Sequence, residues 1–274
     1  MAMGWGLALF LLTISGVWIY WLMRRPGATG IKRIFWMIPL AVAAGTRADS
    51  PFITDDPEFS PGWEIKAGVT TERNSGATTF SEVLDMNYAI VPTVRLNVTT
   101  SAKHVWPART GTAFGYADTE FKIKWRFQDA DPKTDKPSLG FAPKVFFPTA
   151  DKTNGLGDGV YRFQIPFQFG KTIGKTYHFA EVGYQFAFDR AATDSVYGGY
   201  GILYNFNAHW ALGTELFATV PVDRGGDWQL QTTLGAIYTF NDNFSIKASI
   251  SESLRSTHRG GPNPAAVFYL VWNF

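Results

Sequence analysis

The 274-residue chain contains no cysteine. This absence excludes disulfide scaffolds, thiolate metal sites and cysteine nucleophiles. A second absence is local, because residues 1–48 contain five Lys and Arg but no Asp or Glu. Without this segment the chain has 20 basic and 23 acidic residues, a net charge of −3. The formal charge of +2 for the whole chain therefore gives no reason to expect a nucleic-acid partner.

The acid-free segment predicts a targeting leader. It opens with Gly4–Met23, an apolar run of 20 residues. Residues 23–48 then have the order of a secretory signal: a basic start, a shorter apolar run and small residues at a cleavage site. We therefore predict an upstream extension over residues 1–22 and a signal peptide that is cleaved after Ala44 or Ala48. An inner-membrane anchor is the alternative for the first run, since about 20 apolar residues can cross a bilayer.

Aromatic residues are abundant, with 23 Phe, 11 Tyr and 10 Trp, yet the mean hydropathy is −0.06. A membrane β-barrel combines these properties, because it turns apolar side chains outward to lipid and polar side chains inward. The composition therefore favours a barrel over a soluble domain with a single aromatic core.

The C-terminal stretch Ala265–Phe274 shows the alternation most simply. Its large apolar side chains recur at every second position, which is the side-chain period of a β-strand. A terminal aromatic residue preceded by such a set resembles the C-terminal signature of bacterial outer-membrane barrels, which the barrel-assembly machinery reads. The predicted assembly signal consists of Phe268, Leu270, Trp272 and Phe274.

The same alternation recurs in twelve runs between Trp63 and the C-terminus. In the clearest run, from Glu120 to Phe127, charged residues alternate with aromatic and aliphatic ones. A shift of one residue would turn these charges to lipid, and a basic side chain at mid-bilayer costs about 2–4 kcal/mol. We predict an all-β fold, a single transmembrane antiparallel β-barrel of about 12 strands over residues 62–274.

A β-sandwich is the alternative fold, since it also has short alternating strands joined by glycine-rich turns. Its single core would have to bury the large aromatic faces of all twelve runs. The barrel is favoured because lipid covers those faces.

Residues 49–61 precede the first run and contain three prolines and four acidic residues. This composition argues against a strand or a helix. We predict a periplasmic segment that folds into the basic mouth of the barrel, with Asp55 and Asp56 acting as a plug.

Alternation also assigns polar side chains to the lumen. Basic residues outnumber acidic ones there, which predicts a mildly anion-favouring interior. The alternative is that these charges pair across the barrel and simply fill it. The predicted lumen-lining residues are Lys66, Arg95, Lys122, Lys124, Arg126, Lys144, Arg162, Glu181, Glu215 and Lys247.

Sites for catalysis or metal binding have little support in the sequence. The glycine-rich stretch Gly155–Gly159 lacks a following Lys-Ser/Thr and opens a strand, so we interpret it as a tight loop. Asp151, Asn154 and Asp158 offer three oxygen ligands, whereas Ca²⁺ takes about six to eight. The four His residues are scattered, and no Ser–His pair can be assembled. We predict no catalytic, metal-binding or cofactor-binding residue and no enzymatic activity.

Several motifs resemble the outer-membrane family named "putative MetA-pathway of phenol degradation". The resemblance covers essentially all of the chain after the leader and implies an outer-membrane barrel that moves small, often aromatic, molecules. The motifs that carry it are Phe52–Glu58, Gly62–Glu64, Asp118–Glu120, Phe141–Val145, Phe147–Asp151 and Gly155–Gly157.

We therefore predict a bacterial outer-membrane barrel that acts as a passive channel for small molecules. Its predicted partners are outer-membrane lipid, the barrel-assembly machinery and a small-molecule solute. A closed barrel with a structural or surface-interaction role is the alternative, with the loops Val105–Gly115 and Leu254–Pro264 as contact surface. The sequence predicts neither the solute nor the oligomeric state.

Overall fold

A computed structural model describes residues 51–74, 77–107, 111–189, 192–222, 228–255 and 264–274. The predicted extension, signal peptide and cleavage sites lie outside these residues. No helix in the described part of the chain is long and apolar enough to cross a membrane.

The described residues form fourteen antiparallel β-strands. Most contain 9 to 15 residues, and a tilted strand needs about 9–11 residues to cross a bilayer. The strands are β1 (Trp63–Asn74), β2 (Ala77–Val91), β3 (Val94–Pro107), β4 (Ala113–Tyr116), β5 (Thr119–Gln128), β6 (Ser138–Phe141), β7 (Lys144–Phe147), β8 (Arg162–Ile173), β9 (Thr176–Ala187), β10 (Ser195–Asn205), β11 (Trp210–Pro221), β12 (Gln229–Asn241), β13 (Phe244–Arg255) and β14 (Ala265–Asn273).

The fourteen strands form a closed barrel that has twelve strand positions around its circumference. Strands β4 and β5 both pair with β3 and together occupy one of these positions. Strands β6 and β7 both pair with β5 and β8 and together occupy another. The first and last strands pair along their length, from Glu64 opposite Asn273 to Glu72 opposite Ala265. The predicted all-β, twelve-stranded antiparallel barrel is confirmed.

The two interruptions have local causes. Pro143 lies between β6 and β7 and has no N–H to donate, so one hydrogen bond of the ladder is missing there. Its carbonyl still accepts from Ile123 N (3.0 Å), and Ala142 N donates to the carbonyl of Pro166 (3.1 Å). Between β4 and β5, Ala117 and Asp118 form an irregularity of one extra residue, like a β-bulge. Because of this extra residue, Phe114 of β4 and Phe121 of β5 both face outward.

The structure corrects the predicted bounds of two loops. The sequence predicted a loop over Val105–Gly115, whereas β3 continues to Pro107 and β4 begins at Ala113. The predicted loop Leu254–Pro264 is also shorter at its start, because β13 continues to Arg255. These strand ends carry less regular alternation than the strand centres, which is why the pattern missed them.

The two ends of the barrel differ. Four of the five connections at one end, the turn end, are of two to four residues, and this end also holds Gly62 and Phe274. The opposite, loop end holds the longer connection between β7 and β8, residues 148–161. Closure at the turn end depends on Gly62, whose φ of 80° favours glycine and where a Cβ would collide with the Phe274 carbonyl oxygen. Phe274 N donates to the Trp63 carbonyl (2.9 Å) and completes the cylinder.

Large apolar side chains cover the outside of the barrel. Trp125, Phe167, Val182 and Leu234 are all exposed on this face. Aromatic rings touch in series near the turn end, for example Trp210 with Tyr238 at 4.7 Å. An exposed apolar surface of this extent on a closed barrel is the surface that lipid covers, in agreement with the predicted location in a bacterial outer membrane.

Candidate functional site

The segment Pro51–Ser60 lies inside the barrel, against the inward faces of its strands. Four wall glycines leave the space that it fills, because a Cβ at each would collide with a residue of the segment. Gly140 faces Pro57, Gly199 faces Thr54, and both Gly213 and Gly235 face Phe52. We call Pro51–Ser60 the inner segment.

Acidic residues of the inner segment contact the basic ladder of β5. Asp55 pairs with Lys122 (Oδ2 to Nζ, 3.0 Å) and with Lys124 (Oδ1 to Nζ, 2.7 Å). Lys124 is 1% exposed and also donates to the carbonyl of Asp56 at 2.7 Å. Arg126 Nη1 lies 3.1 Å from Glu58 Oε2. The cations that the alternation assigned to the lumen therefore face carboxylates of the same chain.

The opposite wall holds the backbone of the inner segment. The carboxylate of Glu215 accepts from Ile53 N and Thr54 N, each at 2.9 Å. Ser249 Oγ donates to the carbonyl of Pro51 at 2.9 Å. A carboxylate that receives two backbone N–H groups fixes the path of a segment without regular secondary structure.

An apolar cluster inside the barrel was missed by the sequence analysis. Phe52 stacks on Phe179 with ring centroids 5.4 Å apart, beside the buried Leu203, Ala211 and Ile237. A signal was present in the sequence, because Phe179 shares the inward face of its strand with Glu181. The lumen is thus polar on one side and apolar where Phe52 docks.

A second polar network fills the side of the barrel formed by β1, β2 and β3. Arg95 is 2% exposed and donates from Nη2 to Glu64 (3.1 Å) and Asn87 (2.8 Å). Lys66 pairs with Glu64 at 3.3 Å and with Asp85 at 3.6 Å. Phe59 of the inner segment places its ring 5.5 Å from the Arg95 guanidinium carbon, which connects the segment to this network.

Replacing Arg95 by Met is expected to destabilise the barrel by about 3 kcal/mol, because it leaves Glu64 buried with fewer donors. The value is at the low end of the range for such pairs, since Lys66 still contacts Glu64. Urea unfolding of the refolded protein in lipid or detergent, followed by tryptophan fluorescence, measures the change. Arg162→Met is the matched control, because Arg162 pairs with the exposed Asp158 and is expected to cost about 0–1 kcal/mol. Equal costs for the two variants would contradict the buried-network interpretation.

The remaining predicted lumen residues lie on strands other than β5, and Lys144 of β7 is in register with Lys122 of the basic ladder. Glu181 accepts from Gln168 Nε2 at 3.0 Å. Lys247 is 1% exposed and lies in register with Tyr269 and Ile237. Arg162 lies at the loop end, where it pairs with Asp158. Lys144 borders a cavity of about 200 Å³ next to Ile53 of the inner segment.

The connection over residues 148–161 folds back on itself at the loop end. Gly155 and Gly159 have φ of 71° and 73°, and Leu156 is buried, with its carbonyl accepting from Lys103 Nζ at 3.3 Å. Asp151 accepts from Asn154 Nδ2 (2.6 Å) and Thr153 N (2.8 Å), and these hydrogen bonds lower the pKa of its carboxyl group. The carboxylates considered for Ca²⁺ are thus engaged within the chain. Among the described residues there is no group of three His, Asp or Glu that could hold a metal ion.

Solved structures with a similar fold include an outer membrane channel, a porin and the translocator domain of an autotransporter. The COG4313 outer membrane channel from Pseudomonas putida F1 has a TM-score of 0.57 at 13% identity, over 83% of this chain and 100% of that one. The NanC porin has a TM-score of 0.55 at 8% identity, over 78% and 100%. The translocator domain of the autotransporter NalP from Neisseria meningitidis has 0.53 at 11% identity, over 79% and 90%. At these identities the likeness concerns the fold.

Sequence comparison with curated proteins gave no match. A family model described as "Putative MetA-pathway of phenol degradation" matches residues 48–263, most of the chain and nearly all of the barrel. This protein therefore belongs to that family.

Proposed function

We propose that this protein is an outer-membrane barrel that acts as a passive channel for small molecules, with the inner segment restricting passage. The observation that carries the proposal is the closed barrel whose charged lumen is occupied by a segment outside the sheet. Asp55 and Glu58 of that segment meet Lys122, Lys124 and Arg126 of the wall. We assign no catalytic residue and no cofactor.

The mode of attachment supports a channel over a barrel that is filled only for stability. A buried ion pair adds little net stability compared with apolar packing, because the desolvation of both charges opposes their attraction. Here the segment is held by ion pairs, two backbone hydrogen bonds to Glu215 and the aromatic rings of Phe52 and Phe59. Such contacts can be exchanged for water and solute without breaking the barrel, whose own hydrogen bonds lie in the wall.

Swelling of liposomes that contain the refolded protein tests the proposed function. We expect swelling with a small neutral sugar such as arabinose, and slower swelling with a disaccharide, because the lumen of twelve strands is narrow. Heat-modified migration on gels verifies that the barrel has folded. Folded protein that gives no more swelling than protein-free liposomes, with and without the inner segment, would favour the structural or surface-interaction role.

We propose that the barrel-assembly machinery recognises the C-terminal strand through Phe268, Leu270, Trp272 and Phe274, which lie on its outward face. Phe274 is 72% exposed, so its ring contributes little packing to the folded wall. Phe274→Ala is therefore expected to reduce barrel assembly several-fold in cells, while refolding of the purified protein in detergent is unchanged. Immunoblots of folded and unfolded forms in outer-membrane fractions measure this. Phe188→Ala is the control, an equally exposed aromatic outside the terminal strand.

A further inference from the structure

The inner segment occupies the basic ladder of β5 in the manner of a tethered ligand. It is part of none of the fourteen strands, and side chains of the wall hold it in place. Asp55 bridges Lys122 and Lys124, and Glu58 reaches Arg126. A free molecule with the same arrangement of carboxylates can make the same charge-assisted hydrogen bonds.

The ladder sets the spacing of the charges that fit it. Lys124 and Arg126 are two residues apart on one face of β5, so their Cα atoms are about 7 Å apart. Lys122 and Lys124 share one carboxylate, that of Asp55, whereas Arg126 takes a second one. The ladder therefore suits two carboxylates that are joined by a short linear linker.

Without the inner segment, the wall around the ladder is positively charged. Seven basic and five acidic residues face inward on the described parts of β1, β2, β3, β5, β7 and β9, a net charge of +2. The inner segment adds three carboxylates, so seven basic residues then face eight acidic ones. A narrow passage with a positive excess attracts anions. The wall residues are Lys66, Arg95, Lys103, Lys122, Lys124, Arg126 and Lys144, with Glu64, Glu72, Asp85, Glu120 and Glu181.

Two of these wall acids are paired with bases of other strands. Glu64 lies 3.1 Å from Arg95, and Asp85 lies 3.6 Å from Lys66. Their charges are therefore compensated within the wall, and the ladder keeps its own.

The end of the ladder at Lys124 and Arg126 is the better placed for an anion. Glu120, the acid of β5 itself, lies four residues from Lys124, about 13 Å along the strand. Asp129 contacts Arg126 at 2.6 Å, but it is an exposed residue of the connection after β5, where water screens the pair.

The inner segment is not fully matched to the wall that holds it. Thr54 is 0% exposed, and its Oγ1 has no hydrogen-bond partner among the described residues. An unpaired buried hydroxyl weakens the docked state, and release of the segment returns this hydroxyl to water. A ligand that takes over the ion pairs is therefore favoured at this point as well.

We propose that the basic ladder binds a linear dicarboxylate, which takes the places of the Asp55 and Glu58 carboxylates and displaces the inner segment. One carboxylate accepts from Lys124, and the other accepts from Arg126. The inference rests on the proposed channel function and deepens it, because it names the class of solute that opens the passage. The effective concentration of a tethered segment is in the millimolar range, so the free ligand is expected to act at about millimolar concentrations or above.

Labelling of a single cysteine measures displacement in the refolded full chain. The protein has no cysteine, so Thr54→Cys provides one reactive site, which is buried while the segment is docked. Sodium adipate, whose four-carbon linker matches the spacing of the ladder, is expected to raise the rate of labelling by a water-soluble maleimide about tenfold. Sodium hexanoate is the matched monocarboxylate and is expected to leave the rate unchanged at equal ionic strength.

Binding itself is measured by calorimetric titration with sodium adipate. Asp55→Asn is expected to strengthen binding about tenfold, because it weakens the competing segment. Lys124→Met in this background is expected to weaken it about tenfold, since it removes a donor to a charged group. Lys171→Met is the matched control, because Lys171 pairs with the exposed Asp135 away from the lumen and is expected to leave binding unchanged.

Heat-modified migration on gels verifies that each variant has folded. The assignment would be overturned by the absence of saturable adipate binding in both wild type and Asp55→Asn, or by equal acceleration of labelling with hexanoate and adipate. Equal weakening by Lys171→Met and Lys124→Met would also overturn it, as would full labelling of Thr54→Cys without adipate.

The liposome-swelling experiment uses a neutral sugar, so its outcome is independent of this site. Adipate binding without sugar-driven swelling would refute the channel alone, and swelling without adipate binding would refute the site alone.

Discussion

Deletion of the inner segment, Pro51–Ser60, is expected to raise the single-channel conductance in planar bilayers several-fold. The segment contacts strands around the lumen, from Lys122 and Lys124 on one side to Glu215 and Ser249 on the other. Its removal replaces protein by water and ions along this part of the lumen, while the hydrogen bonds of the wall remain. Unchanged conductance of a variant that still migrates as a folded barrel would remove the plug role.

The same deletion is expected to shift ion selectivity toward anions. It removes Asp55 and Glu58 and leaves Lys122, Lys124 and Arg126 without these carboxylates. Narrow, low-dielectric passages concentrate ions of the opposite sign. Reversal potentials measured in a KCl gradient give the selectivity, and the wild-type barrel under the same gradient is the reference. A shift toward cations would contradict the assignment of this basic ladder to the lumen.

Reversal of one charge, Lys124→Glu, is expected to raise conductance toward the value of the deletion variant. Lys124 is 1% exposed and contacts both the Asp55 carboxylate and the Asp56 carbonyl. The substitution places two carboxylates together in a buried position, and loss of one partner of such a pair costs about 3–5 kcal/mol. This cost falls on the bound position of the inner segment, because the wall of the barrel does not depend on Asp55.

The double variant Lys124→Glu with Asp55→Lys separates attraction between these residues from general disruption. It restores an ion pair of opposite polarity, so conductance is expected to fall partway back, since Lys122 then repels the new lysine. Lys171→Glu is the control: Lys171 pairs with the exposed Asp135 away from the lumen, and its reversal is expected to leave conductance unchanged. If the double variant conducted like Lys124→Glu alone, the pair would not hold the inner segment in place.

The barrel was predictable from the local pattern, because the alternation of polar and apolar residues in each strand indicates which side faces lipid. In the run from Glu120 to Phe127, a slip of one residue would expose charges to lipid, so period and register are fixed within a few residues. The short interrupted strands were harder to predict. Neither the bulge at Ala117 and Asp118 nor the strand β4 follows from alternation, since both depend on pairing with β3.

The sequence by itself determined a count of about 12 strands to within two, the outward aromatic face and the set of residues that turn away from lipid, because these depend on a period of two and the cost of charge in a bilayer. Only the tertiary structure decided which of those residues meet. Asp55 reaches Lys122 across 67 residues, and Phe52 docks on Phe179 across the lumen. Such contacts depend on which residues of distant strands lie at the same height in the closed barrel, and on the path of the inner segment, which has no periodic pattern. The alternation within a single strand contains neither kind of information.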